Sequence, residues 1–111
     1  MKKQNANQPI YYSTWLGDSL ISNNKFFIIE RETEKILFFR QIGKILKEYT
    51  SEGGSYYTQI VEPNINEFLE ERIVIRKSNT DLRYIPKNRG SYHWLHLYDS
   101  NKIIKDKCLP E

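Results

Sequence analysis

Two runs of four consecutive apolar residues, Phe26-Phe27-Ile28-Ile29 and Ile36-Leu37-Phe38-Phe39, stand on either side of the polar link Arg31-Glu32-Thr33-Glu34. Runs this short, rich in aromatic and β-branched residues and bounded by polar ones, predict a β-hairpin. A continuous helix through residues 30–35 also satisfies local propensity, but the paired runs favour strands. Neither run approaches the roughly 20 apolar residues needed to span a bilayer as a helix.

The remaining segments fall around this hairpin. Residues 10–16 carry Tyr11, Tyr12, Thr14 and Trp15 and read as a strand, and Ser22-Asn23-Asn24 has the chemistry of a turn. Ile42, Ile45, Leu46 and Tyr49 recur at helical spacing, with Lys44, Lys47 and Glu48 between them. That spacing predicts an amphipathic helix stopped at Gly53-Gly54. A buried Leu46 on such a helix would cost about 2–5 kcal/mol when cut to alanine. Residues 56–61 read as a strand. Asn64 followed by Glu67 resembles a capping box and predicts a second helix to about residue 71, burying Ile65, Phe68 and Leu69. Strands are expected at residues 73–75, 82–85 and 91–98, with turns at residues 78–81, 87–90 and 99–101. The order β-β-β-α-β-α-β-β-β predicts a single two-layer α+β domain, a mainly antiparallel sheet with two helices on one face. Residues 1–8 are expected to form a loose tail and residues 9–111 the domain, which at this length holds one modest core.

Charge is unevenly spread. The chain carries +3 overall, made of +2 over residues 1–40, −4 over residues 41–71 and +5 over residues 72–111. Such a split points to a charged partner surface. Ile, Lys, Asn, Tyr and Phe fill 47 of 111 positions while alanine occurs once, at Ala6. Those residues are written with A- and T-rich codons, so an AT-rich genome is expected, such as that of a low-GC bacterium, its phages or plasmids. Met1-Lys2-Lys3 runs into polar residues instead of an apolar core, so no signal peptide is expected. The lone Cys108 cannot form an internal disulfide and suits a reducing, cytoplasmic setting.

The candidate site lies where basic and aromatic residues interleave. Alternation along residues 91–98 sends Tyr92, Trp94, His96 and Tyr98 to one face and His93, Leu95 and Leu97 to the other. Leu95 and Leu97 would join the core. The rings, with Arg83, Lys87 and Arg89 nearby, form the expected partner-binding set. Arginine beside tryptophan and tyrosine suits the centre of a protein interface, and open rings also stack on unpaired bases. The plain alternative buries Trp94 and Tyr98 in the core.

Chemistry is weakly signalled. His93 and His96 would face opposite sides of a strand, so no metal and no cofactor are expected. Arg83, Arg89, His96 and an acid such as Glu71 supply the residue types of a metal-independent ribonuclease, but their spacing adds no specificity. Gly53-Gly54-Ser55 lacks the lysine and the preceding strand of a phosphate-binding loop. The sequence therefore predicts a non-enzymatic protein-binding inhibitor, of the anti-defence or immunity kind carried by phages and mobile elements. It would act by covering the surface of a larger partner, itself a candidate nucleic-acid-processing enzyme. The alternative is a small protein that binds RNA or single-stranded DNA, or a ribonuclease, working through the same strands.

Overall fold

The structure, a computed structural model, describes residues 8–16, 21–51, 57–78, 81–85 and 92–108. They form eight strands: β1 (Ile10–Leu16), β2 (Ser22–Glu32), β3 (Ile36–Ser51), β4 (Tyr57–Arg76), β5 (Arg83–Tyr84), β6 (His93–Trp94), β7 (His96–Leu97) and β8 (Ile104–Cys108). No helix occurs among the described residues, so the expected α+β domain is corrected to an all-β one. Every pairing is antiparallel. The larger sheet runs β3-β4-β8-β2-β1-β7, and β3 also pairs with β2, while β5 and β6 form a small second sheet. Pairing thus runs from β2 through β3, β4 and β8 back to β2. No helix among these residues is long and apolar enough to cross a membrane.

The hairpin at residues 26–39 is present, and its apolar runs are explained by burial on both faces of β2. Phe27 joins Trp15, Phe39, Ile73, Ile75, Tyr84 and Leu95 on one side. Phe26 and Ile28 join Ile42, Val61 and Ile104 on the other. Strands covered on both faces read as continuous apolar runs, whatever pattern their edges carry. The small β5–β6 sheet supplies Tyr84 to the first cluster. The second is covered by the far half of the β3–β4 hairpin together with β8.

Both expected helices are strands, and the reason is the same for each. β3 and β4 pair along their whole length, but the register shifts between Arg40 and Ile42, between Ile42 and Gly43, and between Leu46 and Glu48. Each shift inserts residues into one strand, as β-bulges do, and moves the inward-facing positions out of simple alternation. Leu46 opposes Val61 and Tyr49 opposes Gln59, so one bulge places Leu46 and Tyr49 on one face three residues apart. The helical spacing was this phase shift. Of the expected stripe only Ile42 is buried, and Ile45, Leu46 and Tyr49 are exposed. In β4, Ile42 opposes Phe68 while Gly43 opposes Asn64, which leaves residues 65–67 as an insertion where the hairpin bends. The Asn64 carboxamide oxygen accepts the Asn66 backbone N–H at 3.0 Å, a side-chain turn in place of a helix cap. Phe68 is exposed and Ile65 only half-buried, at the margin of the second cluster.

Ser22-Asn23-Asn24 is strand and not turn. Asn24 is buried because its polar groups are all engaged. Its backbone N–H and its Nδ2 both donate to Asp106 Oδ1, at 2.8 and 2.7 Å, and Nδ2 also donates to the Lys105 carbonyl. Its Oδ1 accepts the Thr14 hydroxyl at 2.6 Å. The Lys44 ammonium completes the cluster on Asp106 Oδ2 at 2.5 Å and on the Asn24 carbonyl at 2.8 Å.

Two stability outcomes follow from this packing. Asp106→Ala takes the buried acceptor from the Asn24 N–H and from the Lys44 ammonium, which keeps the Asn24 carbonyl, and should cost about 1–3 kcal/mol. Leu46→Ala, at a side chain left 52% exposed, should cost well under about 1 kcal/mol. Urea denaturation of both variants checks the pair. A Leu46→Ala loss matching that of Asp106→Ala would restore a buried role for residue 46.

Candidate protein-binding surface

The small sheet pairs Arg83 with Trp94 and Tyr84 with His93. Directly opposed residues share a face, so these pairs sort the sheet into an inner and an outer side. Tyr84 and His93 point inward. His93 stacks on the Trp15 indole with centroids 4.4 Å apart, and the Tyr84 hydroxyl hydrogen-bonds the buried Ser13 hydroxyl at 3.3 Å. Burial pushes the Tyr84 phenol above its ordinary pKa, offset in part by hydrogen bonding to Ser13 and Trp15.

Arg83 and Trp94 point outward. The Arg83 guanidinium lies over the Tyr92 ring at 4.8 Å, and Tyr92 and Trp94 sit 6.4 Å apart, centroid to centroid. Asp81 ties the group together. It accepts the Trp94 indole N–H at 3.2 Å and sits 3.6 Å from Arg83 Nε. Trp94 is 43% exposed and Tyr92 48%. With Ile85, also exposed, they form an apolar ridge capped by one compensated cation.

The expected strand over residues 91–98 changes sheets at its midpoint. Leu95 is buried and donates its N–H to the Leu82 carbonyl at 2.8 Å. His96 and Leu97 then pair with Tyr12 and Tyr11 of β1. The row of four rings is therefore divided. Tyr92 and Trp94 stay on the small sheet, His96 lies beside Tyr12 at 5.4 Å, and Tyr98 is half-buried, edge-on to Phe26 at 5.6 Å. Burial, then the nearby Glu62 and Asp99, raises the Tyr98 pKa. Leu97, expected in the core, is exposed. Arg83, Tyr92 and Trp94 are brought together; His96 and Tyr98 are not part of their cluster. Lys87 and Arg89 lie outside the described residues. Among the described residues no group of three His, Cys, Asp or Glu converges as a metal site would require.

Beside the ridge runs a groove of about 810 Å³, whose lining includes Trp15, Lys25, Glu71, Arg72, Ile73, Val74, Tyr84 and Ile85. The Lys25 ammonium sits 3.8 Å over the Trp15 ring and 3.1 Å from a Glu71 oxygen. Nothing local in the sequence connects Trp15 with Tyr84 or Ile73; only the pairing of β1 with β2, β2 with β3 and β3 with β4 does.

Arg72 and Lys77 of the basic segment make their ion pairs with β2, not with the acidic segment. Arg72 Nε meets Glu30 at 3.0 Å, with Arg40 on the other carboxylate oxygen at 3.3 Å. Lys77 meets Glu32 at 2.5 Å and Lys47 lies 3.9 Å from Glu62. The Arg72 guanidinium holds the Glu30 carboxyl below its ordinary pKa against a push upward from desolvation, and Arg40 adds to the lowering.

No family model matches this chain, and no curated protein or solved structure resembles it closely enough to count as a match.

The Glu30 cluster sets a pH dependence. A carboxyl whose pKa is lowered on folding stabilises above its unfolded value and loses that contribution as pH falls through the folded one. Glu30→Gln should lower the melting temperature slightly near neutral pH, since the cluster is solvent-accessible. The difference should shrink to nothing as pH drops below the usual glutamate range. Thermal melts across that range check it, and a pH-independent difference contradicts it.

Proposed function

We propose that this protein is a non-enzymatic binding module that covers a surface of a larger protein, with Arg83, Ile85, Tyr92 and Trp94 at the centre of the contact. The observation that carries the reading is the ridge itself. Two large rings and an isoleucine stand in solvent on a sheet of only two strands, while comparable side chains elsewhere on that sheet are packed inward. Clusters of this composition supply most of the binding energy at protein interfaces.

Among the described residues, the pairing of Arg83 with Asp81 favours protein over nucleic acid as the partner. The ridge's one described cation is matched by Asp81, and a phosphate-tracking surface requires cations in excess. An inhibitor or immunity partner that works by occlusion fits a chain whose described residues offer an exposed aromatic contact surface.

The test is capture of a protein partner from the native host, followed by affinity measurement on variants. Trp94→Ala and Arg83→Glu should each weaken that affinity by about 2 kcal/mol or more, with circular dichroism melts unchanged. Undiminished affinity for both variants overturns the reading. A titration of random-sequence RNA, followed by tryptophan fluorescence at two salt concentrations, should show no saturable binding. Tight binding that collapses with salt would move the assignment to nucleic acid.

A further inference from the structure

The opposite face of the sheet carries a patch of arginines remote from the ridge. In the near half of β2, β3 and β4, Leu37, Phe39, Ile73 and Ile75 face the first apolar cluster, and alternate residues point the other way. Phe38 opposes Arg31 on one side and Val74 on the other, Ile36 opposes Arg76, and Arg40 opposes Arg72. Opposed residues share a face, so four arginines surround Ile36, Phe38 and Val74 on the side away from β5 and β6. Val74 is 57% exposed, and Arg31, Arg72 and Arg76 are exposed with it.

The charge of this face is unbalanced. Over residues 30–40 and 72–77, six basic side chains stand against three acidic ones. Glu30 is shared by Arg72 and Arg40, and Glu32 is taken by Lys77. Glu34 lies with Lys35 at the hairpin end. Among the described residues Arg31 and Arg76 have no acidic partner. Gln8 reaches the margin of the face, its side-chain amide donating to the Ile29 carbonyl at 3.3 Å. Residues 1–7 before it contain no acid, and neither do residues 79–80 after β4.

Two unmatched guanidiniums beside an apolar strip suit a ligand with two anionic groups and an apolar one between them. Glu30 shows how the face takes a carboxylate, with Arg72 Nε on one oxygen at 3.0 Å and Arg40 on the other at 3.3 Å. Arg31 covers the Phe38 ring at 4.0 Å and Arg40 the Phe68 ring at 5.4 Å. A nucleic-acid base would have to displace a cation to stack there, which favours carboxylates on a peptide over phosphates. Neighbouring strands lie about 4.8 Å apart and residues along a strand about 3.3 Å. Arg31 and Arg76 are two strands and two residues apart, hence roughly 12 Å at the backbone. Residues i and i+4 of an extended peptide span about 13 Å and point to one side, with i+2 between them.

We propose that this face binds an acidic segment of a protein, extended across β2, β3 and β4 in the pattern acid-x-apolar-x-acid. Its carboxylates pair with Arg31 and Arg76, and the apolar side chain between them lies on Phe38 and Val74. This is a second contact, on the other side of the sheet from the ridge, and it does not depend on what the ridge binds.

A displayed library of random peptides of about 12 residues, long enough to cross three strands, is selected on the full chain. It is counter-selected on the double variant Arg31→Gln with Arg76→Gln. That variant keeps two long side chains and removes only exposed charge, so its melt should match that of the unaltered protein. Enriched peptides should carry acids at i and i+4 around an apolar residue. Their affinity should fall about ten-fold or more in the double variant and weaken with added salt. Val74→Glu, at an exposed position that leaves both arginines in place, should abolish binding by setting an acid at the centre of the face. It decides the matter if the double variant melts early. Failure to enrich acidic peptides overturns the proposal. So does an acidic peptide that binds the double variant or Val74→Glu as tightly, and so does one lost in Trp94→Ala alone, which belongs to the ridge. A deoxythymidine oligonucleotide of about 20 nucleotides should leave the peptide bound. Displacement at equal concentration gives the face to nucleic acid and overturns the proposal as well.

Discussion

A single buried carboxylate holds the layers of this protein together. Asp106, its side chain only 5% exposed, gathers the Asn24 backbone N–H, the Asn24 carboxamide and the Lys44 ammonium. Thr14 completes the hydrogen bonding of Asn24 from β1. Strands β1, β2, β3 and β8 therefore meet at one polar point, although β8 shares just one residue pair with β2. Taking a carboxylate out of water costs several kcal/mol unless paired and hydrogen-bonded partners surround it. Its partners, Asn24 on β2 and Lys44 on β3, lie far from β8 in the chain, so the site is satisfied only when these strands have come together. A network of this kind selects one arrangement of strands over slipped alternatives.

From that anchor the remaining architecture follows. The long β3–β4 hairpin is pinned at Lys44, near its bend, so its far half lies over Phe26, Ile28 and Ile42 while its near half continues the sheet. The opposite face of the sheet then needs its own cover, and Tyr84 of β5 provides it together with Leu95, which follows β6. Because that cover is only two strands wide, it leaves a groove at its margin and presents its own outer side to solvent. The proposed contact surface is a by-product of how narrowly the second layer is built.

The parts of the fold legible in the sequence were those in which one local signal decided. The runs at residues 26–29 and 36–39 specify strands through composition and length, and residues 10–16 do so through their β-branched and aromatic content. The helices expected at residues 42–49 and 64–71 failed because bulges break strand alternation in a way that imitates helical spacing, and nothing in a single sequence marks where a register shifts. Asn64 was recognised as a residue that bonds its neighbouring backbone; the distinction between cap and bulge lies in the partner strand. Asn24 read as a turn because its compensation comes from Asp106, far along the chain. Of the candidate site, the association of Arg83, Tyr92 and Trp94 was legible from charge and aromatic content. The separation of His96 and Tyr98 from them was not, since it depends on Leu95 crossing between sheets.

The position of Asp106 in the chain also orders events during synthesis. Residues 26–42 can close their hairpin as soon as they are made, since their contacts are local. The carboxylate that Asn24 and Lys44 require is added 82 residues after the first and 62 after the second. Until then the Asn24 N–H lacks its buried acceptor, and Ile104 is not yet there to complete the cover of Phe26 and Ile28. Folding of a growing chain proceeds by units as they emerge, and this unit lacks its polar anchor until β8 has emerged.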